Sequence, residues 1–446
     1  RWYRTLAELT AQGTDVLHLA CEEARKAGTV ILGGARMSDA HHGRQWQAQS
    51  DSPLFPQVVM EHPEWCNTWE DGSRDATLNY ALPQVQAHRL TILREMARNY
   101  DVDGLELNWM RWCRHFPSGH QREHLDDLTH FVHEVRLMLR DVAREKGRGP
   151  MILGHRVPVT LDECLNIGCD VGTWARRGYA DYLSPMDFLF NDLGVRTEEF
   201  IRAVEGTGCL VYPSFGSTKY SFGRMYDDNN LYEGKDNHRA LSMRSLSQFR
   251  ATAFNWYAWG ARGGSCFNMY LWQPEQQSFY RDAIAVLSSP ELAMAGPRHY
   301  VYLPVWKDHG GGVGPTGRSN CQSLHFTADS VGKRQAFTFR MADGRNGERL
   351  SGLLRFRIYG AEPGDEFAFD LNGVTLAPEA VNREHQPEGE VWDEREGEGW
   401  LPRAGEPDVF KGSVPFTWPS NARFDVALEG CPPFAGDNEL GITAAS

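Results

Sequence analysis

The stretch "DGLELNWMR", residues 103–111, decides the fold assignment because it has the form of a buried strand that carries polar residues at its end. Side chains alternate along a strand, so Glu106 and Asn108 share one side while the apolar residues between and after them share the other. The apolar side suits packing against helices. Burying a carboxylate and an amide on the other side costs free energy unless they are paired or serve a site.

Similar apolar runs alternate with amphipathic helices from residue 15 to about residue 290, which is the pattern of a parallel β/α fold. The predicted strands are residues 29–37, 76–81, 104–109, 151–158, 180–188, 209–215 and 264–272. The predicted helices include residues 15–28, 121–146 and 239–258, in which apolar side chains recur at spacings of three and four. Seven strands predict a (β/α)8 TIM barrel over residues 1–295, with its first strand upstream of residue 1.

The pattern of apolar and polar residues changes after about residue 295. Short alternating runs, a Pro-Gly-Asp turn at 363–365 and an Asn-Gly turn at 372–373 replace the helical period. Residues 296–446 are therefore predicted to form a small C-terminal β-sandwich that serves as an accessory domain.

Composition excludes several classes of partner. The chain has 46 Lys and Arg against 59 Asp and Glu, a formal charge of -13, and no basic run that could follow a phosphate backbone. No segment approaches the roughly 18 apolar residues of a membrane span. The nine Cys contain no CxxC pair, so no zinc site is indicated. We expect no nucleic-acid partner, no membrane partner, no metal and no cofactor, and the oligomeric state stays open.

The active site of a β/α barrel lies at the carboxyl ends of its strands, so polar residues just after each apolar run are the candidates. The candidates for catalysis are Glu106, Asp187 and Asn108. The candidates for substrate binding are Arg36, Asp39, His41, Arg111, His155, Arg156, Tyr212, Asn268 and Trp272.

Glycosidic cleavage needs two carboxyl groups on opposite sides of the scissile bond. Glu106 and Asp187 form the preferred pair, because Asp187 follows Pro185 at a strand end and precedes Phe188, whose ring would help to desolvate it. Two structural alternatives stay open. Asp187 could instead cap the next helix, and Glu106 could form an ion pair with an arginine inside the barrel, such as Arg36 or Arg156.

Two other hydrolase classes fit the sequence less well. A metal-dependent barrel needs a His-x-His pair and further His ligands on later strands. Here the adjacent His41 and His42 would point apart, and the later strands supply His155 alone. A serine nucleophile elbow requires Gly-x-Ser-x-Gly, which does not occur.

Four runs occur in order over roughly residues 20–290: "VILGGARMSDAHH", "HPEW", "LNYALPQVQAHRLTILREMARNYDVDGLELNWMRW" and "GHRVPVTLDECLNIGCDVGTWARRGYADYLSPMDF". These runs and their order resemble bacterial glycosyl hydrolase-like proteins, distant relatives of the family-ten xylanase barrels. The late "PFAGDNEL" resembles the end of their accessory β-sandwich. The strand also looks like that of family-eighteen chitinases, but Met110 stands where their acid would be, so chitinase chemistry is disfavoured.

The resemblance implies an exported polysaccharide-degrading glycosidase with a carbohydrate substrate. It also implies an Asp at position 108, where this chain has Asn108. Three interpretations of Asn108 are open: a tolerated natural residue with Glu106 performing the chemistry, a binding-only barrel, or a change from Asp that stops catalysis. We expect a glycosidase that cleaves poly- or oligosaccharides. The alternative is a glycan-binding barrel without catalysis, or a variant inactivated at position 108.

Overall fold

The computed structural model describes residues 2–40, 56–186, 191, 193–215, 219–221, 240–242, 246–267, 274–302, 324–344, 350–387, 420–429 and 433–445. These residues divide into two compact units. The first contains residues 2–40, 56–186 and 196–214, and the second contains residues 191, 193–195 and those from 215 onward.

The first unit alternates helices and strands. In chain order its elements are α1 (Trp2–Ala11), α2 (Val16–Ala27), β1 (Leu32–Arg36), α3 (Gln57–Glu61), β2 (Cys66–Thr68), β3 (Arg74–Leu78), α4 (Pro83–Asn99), β4 (Gly104–Asn108), α5 (Leu125–Glu145), β5 (Ile152–Val157), α6 (Leu161–Asn166), α7 (Val171–Arg176), β6 (Tyr182–Pro185), α8 (Thr197–Ala203) and β7 (Leu210–Val211). Short 3-10 turns precede β2 at Pro63–Trp65 and α5 at Gln121–His124.

Five of these strands form one parallel sheet in the order β1-β4-β5-β6-β7. The five strands are thus arranged in the sheet in the same order as along the chain, and the connections between them contain helices. The mixed α/β class and the strands predicted near 29–37, 104–109, 151–158, 180–188 and 209–215 are confirmed. The closed eight-stranded barrel stays a prediction.

The strand predicted at 76–81 lies outside the parallel sheet. Residues 74–78 form β3, which pairs antiparallel with β2 in a separate hairpin and not with the parallel sheet. The turn explains the difference: Gly72 has a φ of 77°, and the Asp71 carboxylate accepts the Ser73 N–H at 2.8 Å. Such local turn chemistry favours pairing between strands that are near in sequence.

The core of the first unit lies on the side of the sheet that carries Leu105, Leu107 and Trp109, all fully buried. Helix α5 supplies one buried face of this core, formed by Leu128, Val132, Val135, Leu139 and Val142, as the three-and-four spacing predicts. The alternation predicted for residues 105–109 is therefore confirmed on its apolar side.

The second unit combines helices with antiparallel sheets. The remaining elements of the chain are β8 (Ser214–Phe215), β9 (Lys219–Ser221), β10 (Ala240–Ser242), α9 (Leu246–Ala258), β11 (Ser265–Cys266), α10 (Pro274–Ser288), α11 (Pro290–Met294), β12 (Arg334–Met341), β13 (Leu353–Tyr359), β14 (Phe367–Leu371), β15 (Val374–Thr375), β16 (Val381–Gln386), β17 (Asn421–Ala427) and β18 (Gly436–Ala444). Strands β12-β18-β14-β15 form one sheet and β13-β17-β16 another. Phe339, Phe369 and Leu440 from the first sheet share a hydrophobic cluster with Ile358 and Phe424 from the second.

Within the described residues, no helix is both long enough and apolar enough to cross a membrane.

Candidate active site

The register of the parallel sheet assembles a polar row at the carboxyl ends of its strands. Arg36 of β1, Asn108 of β4 and Arg156 of β5 are Cα partners across adjacent strands. Partners in register point to the same side of a parallel sheet, so these three side chains share one face. Glu106 lies on the same face two residues earlier, between Gly34 on β1 and Gly154 on β5.

Glu106 is the centre of a hydrogen-bond network on this face. The Arg156 guanidinium donates to both carboxylate oxygens, with Nε to Oε1 at 2.9 Å and Nη2 to Oε2 at 3.1 Å. The Tyr182 hydroxyl of β6 donates to Oε2 at 2.7 Å. The Glu106 side chain keeps 20% of its surface exposed, whereas Arg156 keeps 6%. The carboxylate is thus both anchored and accessible.

Arg156 is held by more than its carboxylate partner. Its Nη1 donates to Ser214 Oγ at 2.8 Å and lies 3.5 Å from Met186 Sδ. A planar guanidinium that donates on several edges has little freedom to rotate. The ion pair that the sequence left open as a structural alternative for Glu106 is therefore present, with Arg156 as its partner.

Tyr182 reaches Glu106 by crossing over Gly154. A Cβ added at Gly154 would lie 2.0 Å from the Tyr182 Cζ and 2.5 Å from its hydroxyl oxygen, so only glycine leaves room for the ring. Burial, reinforced by the Glu106 charge, raises the pKa of Tyr182 well above its usual range, so the hydroxyl stays protonated and donates. The ring of Tyr212 packs edge-on against Tyr182 with centroids 5.7 Å apart, which brings this predicted binding residue to the same face.

Asn108 uses its amide oxygen locally. Oδ1 accepts the Met110 N–H at 2.9 Å, and the side chain is only 5% exposed. The backbone carbonyl of Asn108 accepts the Met37 N–H at 3.0 Å and so extends the pairing of β1 with β4. A carboxylate oxygen at position 108 could accept the same N–H. The local turn is thus compatible with either Asn or Asp.

Three predicted residues lie at or just after the carboxyl ends of β1 and β4: Arg36, Asp39 and Arg111. Arg36 donates to Asp39 through Nη1 to Oδ2 at 3.1 Å. Arg111 stacks over the Trp112 ring, with its guanidinium carbon 4.1 Å from the centroid. Trp112 has a φ of 50°, an uncommon value for a bulky residue, and such backbone strain is often found at functional sites.

His155 lies on the opposite face from the other candidates, because its Cα partner on β4 is Leu107. Its Nδ1 accepts the indole N–H of Trp109 at 3.2 Å, which leaves the proton on Nε2, 3.3 Å from the Tyr179 carbonyl. Burial lowers the pKa of His155 to about 3, so the ring is neutral. The structure places this residue in the packing between sheet and helices and does not bring it to the Glu106 face. The position expected from sequence is corrected accordingly.

Four predicted site residues lie outside the described residues: His41, Asp187, Asn268 and Trp272. The residue before Asp187 is described. Met186 is buried, and its sulfur contacts Arg156, the arginine that holds Glu106.

Sequence reasoning missed Tyr182, Ser214 and the role of Gly154. One signal was available, since alternation along "DYLSPM" puts Tyr182, Ser184 and Met186 on the same side of β6. The register that aligns Gly154 with Glu106 and Tyr182 comes from pairing between strands, which no single-strand pattern contains.

No protein-family model matches this sequence, and no curated protein matches it. Its structural neighbours include glycoside hydrolase domains. The glycoside hydrolase domain of PgaB (BpsB) from Bordetella bronchiseptica has a TM-score of 0.36 and 11% identity, covering 61% of this chain and 80% of that one. A family 18 N-acetylglucosaminidase from Paenibacillus barengoltzii has a TM-score of 0.33 and 12% identity, covering 58% and 99%. A family GH18 chitinase from Cycas revoluta, in complex with allosamidin, has a TM-score of 0.32 and 14% identity, covering 48% and 74%. Similarity at this level does not assign a function, so the functional assignment rests on the contacts of the candidate active site.

Proposed function

We propose that the protein is a glycoside hydrolase that cleaves O-glycosidic bonds in a poly- or oligosaccharide, with Glu106 and Asp187 as its carboxyl pair. One observation carries the proposal: a partly exposed carboxylate is held by Arg156 and Tyr182 at the carboxyl end of a parallel strand. This is the position at which β/α enzymes place catalytic groups. We further propose that the parallel sheet closes into a (β/α)8 barrel over residues 1–295 and that residues 296–446 form a β-sandwich.

The contacts of Glu106 support one role for it within the proposed pair. All its described partners are donors, two guanidinium N–H groups and one hydroxyl, so the carboxylate acts as an acceptor. An ionised carboxylate serves as a nucleophile or as a general base. The proton donor is then Asp187, which follows Met186 at the end of β6. The separation of the two carboxyl groups decides the outcome: about 5 Å for retention and about 6.5 to 9.5 Å for inversion.

Substrate contacts are proposed for the candidates at the carboxyl ends of the strands. Arg36, Asp39, Arg111 and Tyr212 are the described ones, and His41, Asn268 and Trp272, which lie outside the described residues, stay candidates. Arg156 is not proposed as a substrate contact, because its guanidinium donates to Glu106 and Ser214 and so positions the carboxylate. Asn108 is proposed as a tolerated residue, since its oxygen supports the turn to Met110. Export of the protein, which the sequence resemblance implies, remains part of the proposal.

A second candidate function is glycan binding without catalysis. The observation that favours it is the same network: three donors satisfy Glu106, as in a purely structural ion pair. Under this alternative the Glu106 face would hold an oligosaccharide and Asp187 would carry no proton.

The test compares the natural chain with Asp187→Asn, Asn108→Asp and a control, Glu23→Gln, which changes an exposed carboxylate on α2. Aryl glycosides and a panel of polysaccharides serve as substrates, and calorimetry measures binding of the released oligosaccharides. The proposal expects turnover in the natural chain and in the control, and a loss of about 100-fold or more in kcat for Asp187→Asn. Saturable binding without turnover in any form would select the second candidate. Neither binding nor turnover would reject both.

A further inference from the structure

The exposed surface of α5 carries a cluster of metal-ligating side chains that the proposed active site does not use. His130, His133 and Glu134 occupy positions i, i+3 and i+4, which place three side chains on one face of a helix. One ligand atom from each lies within 4.8 Å of the other two. His130 is exposed, and His133 and Glu134 are half-buried at the edge of the helix's packed face.

Within the described part of the chain, His130 and His133 differ from several other histidines in having no ion-pair partner. Several histidines contact a nearby carboxylate: His18 with Asp15, His62 with Glu64, His120 with Glu123 and His124 with Asp127. Among the described residues, neither His130 nor Glu134 has a hydrogen bond or an ion pair, although their polar atoms converge. Convergence without mutual bonding leaves a gap between the ligand atoms.

The size of that gap suits a transition-metal ion. Three atoms that are all within 4.8 Å of one another fit inside a circle of radius 4.8/√3, so a point exists within about 2.8 Å of each. Bonds from Zn²⁺ to imidazole nitrogen and carboxylate oxygen are about 2.0 to 2.2 Å, so movements of under about 1 Å complete the site. The ring of His133 is already oriented by stacking on Tyr179, with centroids 4.6 Å apart and planes at 19°.

We propose that His130, His133 and Glu134 bind one divalent transition-metal ion of the Zn²⁺ class, with water completing the coordination. Two imidazole nitrogens and one carboxylate favour Zn²⁺, Ni²⁺ or Cu²⁺ over Mg²⁺ and Ca²⁺, which prefer all-oxygen ligands. All three ligands come from two consecutive turns of one helix, so the ion binds only while α5 is folded. The site therefore stabilises the helix and stands apart from the chemistry at Glu106.

The test titrates the whole chain, stripped with EDTA, with Zn²⁺ alone and then with Mg²⁺ alone. Variants His130→Ala and Glu134→Gln remove one ligand each. The matched control, His120→Ala, removes an exposed histidine that pairs with Glu123 at the same i, i+3 spacing and that belongs to no three-ligand group among the described residues. Melting temperatures in EDTA confirm that every variant is folded, and they are expected to agree within error because the mutated side chains are exposed or half-buried.

We expect the natural chain and the control to bind one more equivalent of Zn²⁺ than His130→Ala, and Zn²⁺ to raise the melting temperature only where that equivalent binds. Glu134→Gln should weaken this site about 10-fold or more. Mg²⁺ should produce no shift. Equal stoichiometry and equal thermal shifts in the natural chain and His130→Ala would overturn the proposal. Glycosidase assays on His130→Ala are independent of this result, so the site and the proposed catalytic function can fail separately.

Discussion

Gly154 and Gly34 lie on either side of Glu106 in the sheet, yet the space above them differs. A Cβ at Gly154 would lie 2.0 to 2.5 Å from atoms of the Tyr182 ring and hydroxyl, whereas a Cβ at Gly34 meets nothing within 4 Å. Gly154→Ala must therefore displace the ring, and Gly34→Ala need not displace anything. The two substitutions form a matched pair at the same register level of one sheet.

The expected magnitude follows from the bond that is lost. The Tyr182 hydroxyl lies 2.7 Å from Glu106 Oε2, near the ideal for an O–H···O⁻ bond, and a shift of about 1 Å would break it. A hydrogen bond to a charged group contributes about 1.5 to 3 kcal/mol. Alanine reduces the freedom of the unfolded chain by about 0.4 to 1 kcal/mol in both variants, so this effect cancels in the comparison. Gly154→Ala should thus be less stable than Gly34→Ala by about 1.5 to 3 kcal/mol.

Amide hydrogen exchange of β5 and β6 is the suitable assay, because it reports this sheet without interference from the second unit. A background of Tyr182→Ala supplies the control. There the ring is absent, so Gly154→Ala should add no further cost. Equal stability of Gly154→Ala and Gly34→Ala would refute the reasoning. A full cost of Gly154→Ala in the Tyr182→Ala background would show that the strain lies elsewhere.

Two further predictions concern pH. Burial acts to raise the pKa of Asp103, but hydrogen bonds from Arg25, the Ile31 N–H and Arg148 outweigh it and lower that pKa from 3.8 to about 2. The ionised carboxylate therefore stabilises the fold fully above pH 3.8. In urea unfolding, Asp103→Asn should be less stable than the natural chain by about 2 kcal/mol at neutral pH, and this difference should vanish as the pH falls through 2. A difference that stays constant with pH would contradict the prediction. His155 shows the same proton balance at higher pH: burial lowers its pKa from 6.5 to about 3, so the unfolded chain binds the extra proton between these values and stability falls as the pH falls, by up to about 1.4 kcal/mol per pH unit. His155→Gln should remove this slope, and an unchanged slope would mean that the ring is protonated in the fold.

Local patterns in the sequence predict the parallel strands, the long helix α5 and the sidedness of Glu106, because each depends on periodicity within one element. The hairpin of β2 and β3 was missed since a short run such as 76–81 has the same pattern in a parallel or an antiparallel pair. His155 was misplaced for a related reason. A strand pattern gives two faces, but only the pairing of His155 with Leu107 shows which face it shares with the neighbouring strand.

The position of Arg156 narrows what the Glu106 face can bind. Its guanidinium donates to two oxygens of Glu106 and to Ser214, and 94% of its side chain is covered, so it cannot turn toward a sugar without releasing the carboxylate. Among the described residues, Glu106 keeps 20% of its side chain exposed, and Arg36 and Asp39, which pair with each other, keep 43% and 28%. Arg36 ends β1 and Glu106 lies on the adjacent β4, so an exposed cation and an exposed anion lie on neighbouring strands. We therefore predict that a glycan, if the proposed function is correct, binds across these two strands with its hydroxyls donating to Glu106.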